Sequence, residues 1–469
     1  MMELYTDDTI AAIATAPGES GIGIVRMSGK RAIELAEIIF FPADGKKTSQ
    51  SPGYTMHYGW IVKQDIRSGG TARGGIIDEV LLTVMRAPRS YTREDVVEIN
   101  CHGGIVAQRA VLERILEKGC RLAQPGEFTR RAFLNGRIDL SQAEAVLDII
   151  KAKTDSALTI SMEQLRGAFS REVLRIRKRL VEVLAEIEAD IDFPEEGIDP
   201  ARREEIAATL CSVSGRLRDI IESSSRARIF REGISAVICG KPNVGKSSLL
   251  NALLRQERSI VTPVAGTTRD TIEEIVDMRG IPVKIVDTAG IAEPRDLVEK
   301  KAVRRAREYM DAADVVILVF DASRELSAGD TALMRRLKHK KIIAVLNKTD
   351  LPRRIKVPVI TARFGAPVEI SARRLRNIRG LEEAIIGCVY KGNISPGASV
   401  QMSNARHIHA IMRAKNLIDG ILHSLENALS LEFVAQDIKE ALGYLDEILG
   451  KRFSEDLLDR IFSDFCVGK

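Results

Sequence analysis

The stretch Gly240-Lys241-Pro242-Asn243-Val244-Gly245-Lys246-Ser247 constrains this chain more than any other. It has the spacing G-x-x-x-x-G-K-[ST], follows the apolar run 236–239 and opens the helical run 248–254. Glycines at those places let main-chain N–H groups turn inward around phosphate oxygens, at a helix N-terminus that already favours anions. Lys246 supplies a point charge to terminal phosphates, and the Ser247 hydroxyl suits Mg²⁺. Such an element sits in a parallel sheet with crossover helices. The runs 234–238, 283–286, 315–320 and 342–346 have buried-strand character and are mostly separated by helical segments, which predicts that sheet over 233–390.

Further motifs follow in order. Asp287-Thr288-Ala289-Gly290 ends a strand, where an acid can hold Mg²⁺ through water and a glycine N–H can meet a γ-phosphate. Asn347-Lys348-Thr349-Asp350 ends another, and a carboxylate there accepts two hydrogen bonds that guanine donates and adenine does not. Ser371-Ala372 offers main-chain N–H to the guanine carbonyl. Between the first two motifs, 262–270 reads as a mobile loop from its Gly and hydroxyl content, with Thr268 as a γ-phosphate-sensing Mg²⁺ ligand. The expected nucleotide contacts are therefore Asn243, Val244, Gly245, Lys246, Ser247, Ser248, Thr262, Thr267, Thr268, Asp287, Thr288, Ala289, Gly290, Asn347, Lys348, Asp350, Ser371 and Ala372. The residue after Gly290 is Ile291, which cannot orient water as the glutamine of Ras-like GTPases does there.

Around this insert the texture differs. Residues 9–124 mix short strands (9–15, 21–27, 80–85, 96–99) with a helix over 105–117, an α+β pattern. From 141 to 191 apolar residues recur at helical spacing and predict one long helix; 408–429 and 438–448 repeat the pattern, so each stripe is expected to cover the other. The organisation expected is an N-terminal α+β domain over 1–124, a helical domain in two parts over 125–232 and 391–469, and an inserted Ras-like domain over 233–390. Lys plus Arg number 70 against 65 for Asp plus Glu, a formal +5 on 469 residues, so any nucleic-acid contact must come from a local patch. Six widely spaced cysteines without a C-x-x-C pair suggest neither zinc nor disulfides. With no apolar run near membrane-span length and no signal-peptide pattern, a cytoplasmic protein is expected.

The stretches 8–29, 91–104, 125–145, 240–254, 265–270 and 453–469, in order, carry a family pattern, with the terminal Phe465-Cys466-Val467-Gly468-Lys469 and the inserted position of the G domain the most specific. On these residues the chain resembles the MnmE (TrmE) family of tRNA-modification GTPases. Residues 356–367 show no family signal, and 403–407 match loosely. The resemblance implies a potassium-activated GTPase with a hydrophobic residue in the glutamine slot, as Ile291 is. It implies K⁺ held by Asn243 and by Thr262, Val264 and Thr267, Mg²⁺ on Ser247 and Thr268, and attacking water oriented by Glu299. With Lys246, Thr268 and Cys466, Glu299 completes the catalytic set so implied. The N-terminal domain is similar to a folate-binding, dimer-forming module, which places a tetrahydrofolate derivative on Arg26, Glu98, Arg137 and Lys469, Arg137 standing where a lysine is common. The family works as a homodimer that forms a heterotetramer with an MnmG-type FAD/NADH flavoprotein. Together they install a (carboxymethyl)aminomethyl group on the wobble uridine of certain tRNAs. The rival reading is an Era/EngA-like ribosome-assembly GTPase; amphipathic helices, with no GXXG loop, follow the G domain here.

Overall fold

The computed structural model describes residues 8–64, 75–192, 200–256, 273–287, 308–337, 340–389, 404–426 and 430–469. Contacts divide the chain into two compact units, Met1–Leu147 with Leu445–Lys469, and Asp148–Tyr444.

The first unit is built on a seven-stranded sheet. Its strands are β1 (Ile10–Ile13), β2 (Gly23–Ser28), β3 (Phe40–Pro42), β4 (Thr55–Val62), β5 (Ile76–Met85), β6 (Val96–Cys101) and β7 (Arg121–Leu122), in the order β3-β4-β5-β6-β2-β1-β7. Alternation sorts side chains by face: Val80, Leu82 and Val84 of β5 are buried with Val25, Met27, Val97 and Ile99 under the helices Ala32–Ile39 and Ile105–Leu116. The chain's last residues belong to this unit. Phe462 and Phe465 bury against Ala132, Phe133 and Leu140 from the helices Glu127–Leu134 and Leu140–Lys151.

The second unit combines helices with a six-stranded sheet. Its strands are β8 (Ile234–Cys239), β9 (Glu273–Met278), β10 (Ile281–Asp287), β11 (Val315–Asp321), β12 (Ile342–Asn347) and β13 (Val368–Glu369), in the order β13-β12-β11-β8-β10-β9. All neighbours are parallel except the β9–β10 hairpin. β8 is flanked by β11 on one side and β10 on the other, so its carboxyl end is a switch point of the doubly-wound kind.

The single long helix expected over 141–191 is three helices: Leu140–Lys151, Asp155–Leu165 and Ala168–Asp192. Thr154 caps the second, its hydroxyl accepting from the Ala157 N–H, and Gly167 separates the second from the third. The expected pairing of stripes is also incomplete. Helix Ala405–Glu426 packs along Pro200–Glu232, which carries its own stripe of buried Ile206, Leu210, Val213, Leu217 and Ile220. The Ser214 hydroxyl donates to Asp419 at 2.5 Å across that contact. Helix Leu431–Leu449 reaches Ala168–Asp192 through Lys439 and Glu188, 2.8 Å apart.

Two helical pieces meet the β9–β10 turn. The Thr154 hydroxyl, besides capping its helix, donates to the main-chain oxygen of Gly280 at 2.8 Å. Gly280 has φ +85°, and a Cβ there would lie 2.2 Å from Ser156 Oγ. Ile160 and Phe230 join Met278 and Ile281 in one buried cluster. The two ends of this hairpin lead, in sequence, to 262–270 and to Asp287-Thr288-Ala289-Gly290.

Candidate functional site

At the end of β8 the chain turns through 240–245 into the helix Lys246–Gln256. Asn243 takes a left-handed φ of 67°. Gly245 has φ +96°, and a Cβ on it would come within 2.3 Å of the Asn347 amide nitrogen, so no other residue fits. The buried Lys246 ammonium donates to the carbonyls of Gly240 at 3.1 Å and Lys241 at 2.9 Å, which keeps it inside the curve of its own loop. Val244 is buried; Ser247 and Ser248 are exposed on the first turn of the helix.

The loop after β12 is stitched to this one. Buried Asn347 donates from Nδ2 to Val244 O at 2.9 Å and accepts at Oδ1 from the Ala372 N–H at 3.0 Å. Lys348, at a left-handed φ of 66°, donates to Asn243 O at 2.7 Å and to Asp321 Oδ2 at 2.6 Å. Asp321 ends β11 opposite Asn347 in register. Burial works to raise its pKa, but hydrogen bonds from Lys348 and Ser323 outweigh burial and hold it below the usual carboxylate range. Asp350 accepts from the Ser371 hydroxyl at 2.6 Å, a bond that lowers its pKa and keeps it an ionised acceptor. The carboxyl ends of β8, β11, β12 and β13 thus form one hydrogen-bonded unit.

Ser371 and Ala372 are expected to offer N–H groups to a ligand. Here the Ser371 N–H donates to Arg376 O, and the Ala372 N–H to Asn347. Asp321 is not among the residues expected from sequence, although an acid closing a buried strand, with Ser two residues on, is the signal that points to it. Asp287 closes β10, in register with Ile238 of β8. Thr262, Val264, Thr267, Thr268, Thr288, Ala289, Gly290, Ile291 and Glu299 lie outside the described residues. Among the described residues no cluster of His, Cys, Asp and Glu has the makings of a metal site.

A second group of expected residues comes together in the first unit. Arg26 of β2 and Glu98 of β6 are register partners, and Arg26 Nε donates to Glu98 Oε1 at 2.7 Å. The same guanidinium donates to Gly468 O at 3.2 Å and lies 5.7 Å from the centres of both the Tyr91 and Phe128 rings. Arg137 stacks on Tyr91 at 4.7 Å and donates to its carbonyl. The tail is pinned by Phe128 N–H to Lys469 O at 3.0 Å and Gly126 N–H to Cys466 O at 3.4 Å. Burial, then the Arg26 charge, push the Lys469 pKa down. Cys466 is exposed, whereas burial pushes the Cys101 thiol up to about 11 and those of Cys120 and Cys239 up to about 12.

A largely parallel sheet with a phosphate loop at its switch point, laced to an Asn-Lys-x-Asp loop, defines the second unit's sheet domain as a P-loop GTPase. Residues 9–137 match the family model of the GTP-binding protein TrmE N-terminus, and residues 140–466 that of the MnmE helical domain. A tRNA modification GTPase MnmE of Clostridioides difficile is 46% identical over 468 residues, covering 99% of this chain and all of the relative. That of Carboxydothermus hydrogenoformans is 47% identical over 466 residues, again 99% of this chain and 100% of the relative. A solved structure of Aquifex aeolicus Era overlaps 39% of this chain and 66% of its own, at 29% identity and TM-score 0.29. The chain belongs to the MnmE family of tRNA modification GTPases, and it is a GTPase. Among the described residues no helix is long and apolar enough to cross a membrane.

Proposed function

We propose that this chain is a K⁺-activated, Mg²⁺-dependent GTPase that works in the cytoplasm with an MnmG-type flavoprotein. Together they install a (carboxymethyl)aminomethyl group on the wobble uridine of certain tRNAs, with a tetrahydrofolate derivative as one-carbon donor. The observation that carries this reading is that Arg26, bonded to Glu98 and beside Lys469 of the pinned tail, shares the Tyr91 ring with Arg137. A pterin ring presents several donors, which suit the Glu98 carboxylate, and folate carboxylates suit the arginines. Cys466 is exposed and acts electrostatically on Lys469, which makes it a candidate for the modification chemistry.

On the nucleotide side, Lys246 held inside the phosphate loop and Ser247 exposed on the first helical turn support a phosphate chain with its Mg²⁺. Asn243 holds the left-handed turn from which its side-chain oxygen serves K⁺, with Thr262, Val264 and Thr267 completing the set and Glu299 orienting water. K⁺ bound there supplies the positive charge that an arginine finger supplies elsewhere.

A homodimer through the first unit has support in the sheet. Met56 is 60%, Tyr58 46% and Leu81 40% exposed, all on the face opposite the helices, with Tyr58 and Leu81 register partners. The same face runs through Thr83 and Glu98 to Arg26, so a second copy laid there would close over the proposed folate cluster. The test is the wobble-uridine modification state of tRNA from cells lacking this protein. Loss of the modification, restored by the parent chain but not by Glu98→Gln, is expected; normal modification without the protein would refute the reading.

A further inference from the structure

Charge is distributed very unevenly along this chain. Residues 351–380 carry Lys356 and seven arginines against one acid, Glu369, a net +7. The whole chain is +5, so the other 439 residues together are net −2. Arg363 lies on the helix Val357–Phe364 and donates to Met334 O; the other seven of the eight cations sit on two segments that the fold joins. One follows the Asn347-Lys348-Thr349-Asp350 loop; the other follows β13. The Thr349 N–H and hydroxyl both donate to Ile370 O, Ser371 bonds Asp350, and Asn377 donates to Glu369 O at 2.9 Å.

The second segment has a defined shape. Ser371 and Arg376 exchange main-chain hydrogen bonds, and Leu375 and Asn377 hold left-handed φ of 53° and 55°. Arg373, Arg374 and Arg376 are therefore displayed on a closed loop rather than a slack one, with Arg379 on the helix that follows. These four, Arg354 and Lys356 are all exposed. Glu369, the one acid, is paired with Arg353.

We propose that this rim, beside the base-reading loop of the GTPase domain, binds the phosphate backbone of RNA, and that tRNA is the RNA it meets. A lone nucleotide needs no cations spread over two loops. An extended polyanion engages the exposed ones together, and arginine's planar fork pairs phosphate oxygens better than lysine's point charge. The inference rests on the tRNA-modification reading but places a contact that this reading does not: on the G domain, remote in sequence from the folate cluster, and partly within the stretch 356–367 that carries no family signal.

The test uses the full chain and a tRNA transcript, with binding followed by fluorescence anisotropy from 50 to 300 mM KCl. Arg354→Gln, Lys356→Gln, Arg376→Gln and Arg379→Gln are combined in one variant. Four lost phosphate contacts should flatten the slope of log Kd against log salt by about three and weaken binding at least about tenfold at low salt. GTP hydrolysis without tRNA should stay within about twofold of the parent, and the matching Arg→Lys variant should keep most of the slope. Independently of any variant, tRNA carrying 4-thiouridine should photo-crosslink to peptides from 351–380 of the parent chain. An unchanged slope in the Gln variant, or crosslinks confined to other segments, overturns the proposal and leaves the tRNA-modification reading standing. So does a Gln variant that binds tRNA normally but no longer captures the flavoprotein, which would make the rim a protein-docking face. A parent chain that fails to bind tRNA overturns the proposal as well; the cellular wobble-uridine assay then judges the wider reading separately.

Discussion

The ammonium of Lys348 lies 2.6 Å from a carboxylate oxygen of Asp321 and 2.7 Å from the main-chain oxygen of Asn243. One charge thus ties the loop expected to read the base to the loop expected to hold the phosphates, and an acid from a third strand holds that charge. The folded-state pKa of Asp321 is lowered, so its contribution is fully present above the unfolded carboxyl value of about 3.9 and disappears as pH falls through the folded value. The expected outcome for Asp321→Asn is weaker GTP binding at neutral pH and a flatter loss of GTPase-domain stability below about pH 4. Calorimetric GTP binding and acid melts of parent and variant check both. Parallel acid curves would remove Asp321 from this role.

Asp350 is held ionised with one oxygen already bonded to Ser371. Replacing it by Asn puts a donor where guanine also donates. Asp350→Asn should lose GTP affinity by on the order of a hundredfold and gain affinity for xanthosine triphosphate. Competition binding of the two nucleotides measures it, and an unaltered preference for GTP would show that the base is read elsewhere.

Because Asn243 is left-handed, an alanine there would confuse strain with a lost ligand. Asn243→Gly keeps the turn and removes only the side chain. We expect GTP hydrolysis by the parent to fall sharply when K⁺ is replaced by Na⁺, and the Gly variant to be slow in both salts. Equal parent rates in the two salts would end the potassium assignment.

Glu98 is bonded to a largely buried Arg26, so its truncation would strand a charge. Glu98→Gln retains shape and removes the carboxylate. Tetrahydrofolate affinity by calorimetry should fall about tenfold or more, and deletion of 466–469 should do the same by removing Lys469 and the pinned carbonyls. Unchanged affinity in both places the one-carbon donor elsewhere.

At the β9–β10 turn, Gly280→Ala sets a Cβ against Ser156 Oγ at a positive φ. It should cost about 1–3 kcal/mol. Thr154→Val, which loses both a helix cap and the bond to Gly280, should cost about 1–2 kcal/mol. The double variant should cost less than the two summed, because both act on one contact. Strict additivity in thermal melts would show that the two residues act separately.

Much of the GTPase domain could be read directly, because its chemistry is local. The spacing from Gly240 to Ser247 and the run Asn347 to Asp350 are short motifs whose geometry is written in neighbouring residues. What ties them was illegible for the opposite reason. The Asn347–Val244 and Lys348–Asp321 bonds join residues distant in sequence, and no periodicity announces them. The breaks at Thr154 and Gly167 were visible as cap and stop signals, but an unbroken run of apolar spacing outweighed them. The strand Thr55–Val62 escaped because His57 and Gly59 interrupt the expected β-rich composition. The helix Pro200–Glu232 had a legible stripe, at 206, 210, 213, 217 and 220, hidden among arginines and serines. The meeting of Arg26 and Glu98 with Arg137 and the tail came from family resemblance, since nothing in their spacing brings them together.

A near-neutral balance conceals how this chain meets a charged support. Retention on an ion exchanger follows the most charged face a molecule can present, and 351–380 presents +7 against a chain total of +5. At neutral pH and low salt the protein should therefore hold to a sulfonate resin, and host RNA should travel with it through purification. A high-salt wash before any nucleic-acid measurement then separates what the rim has picked up in the lysate from what it selects.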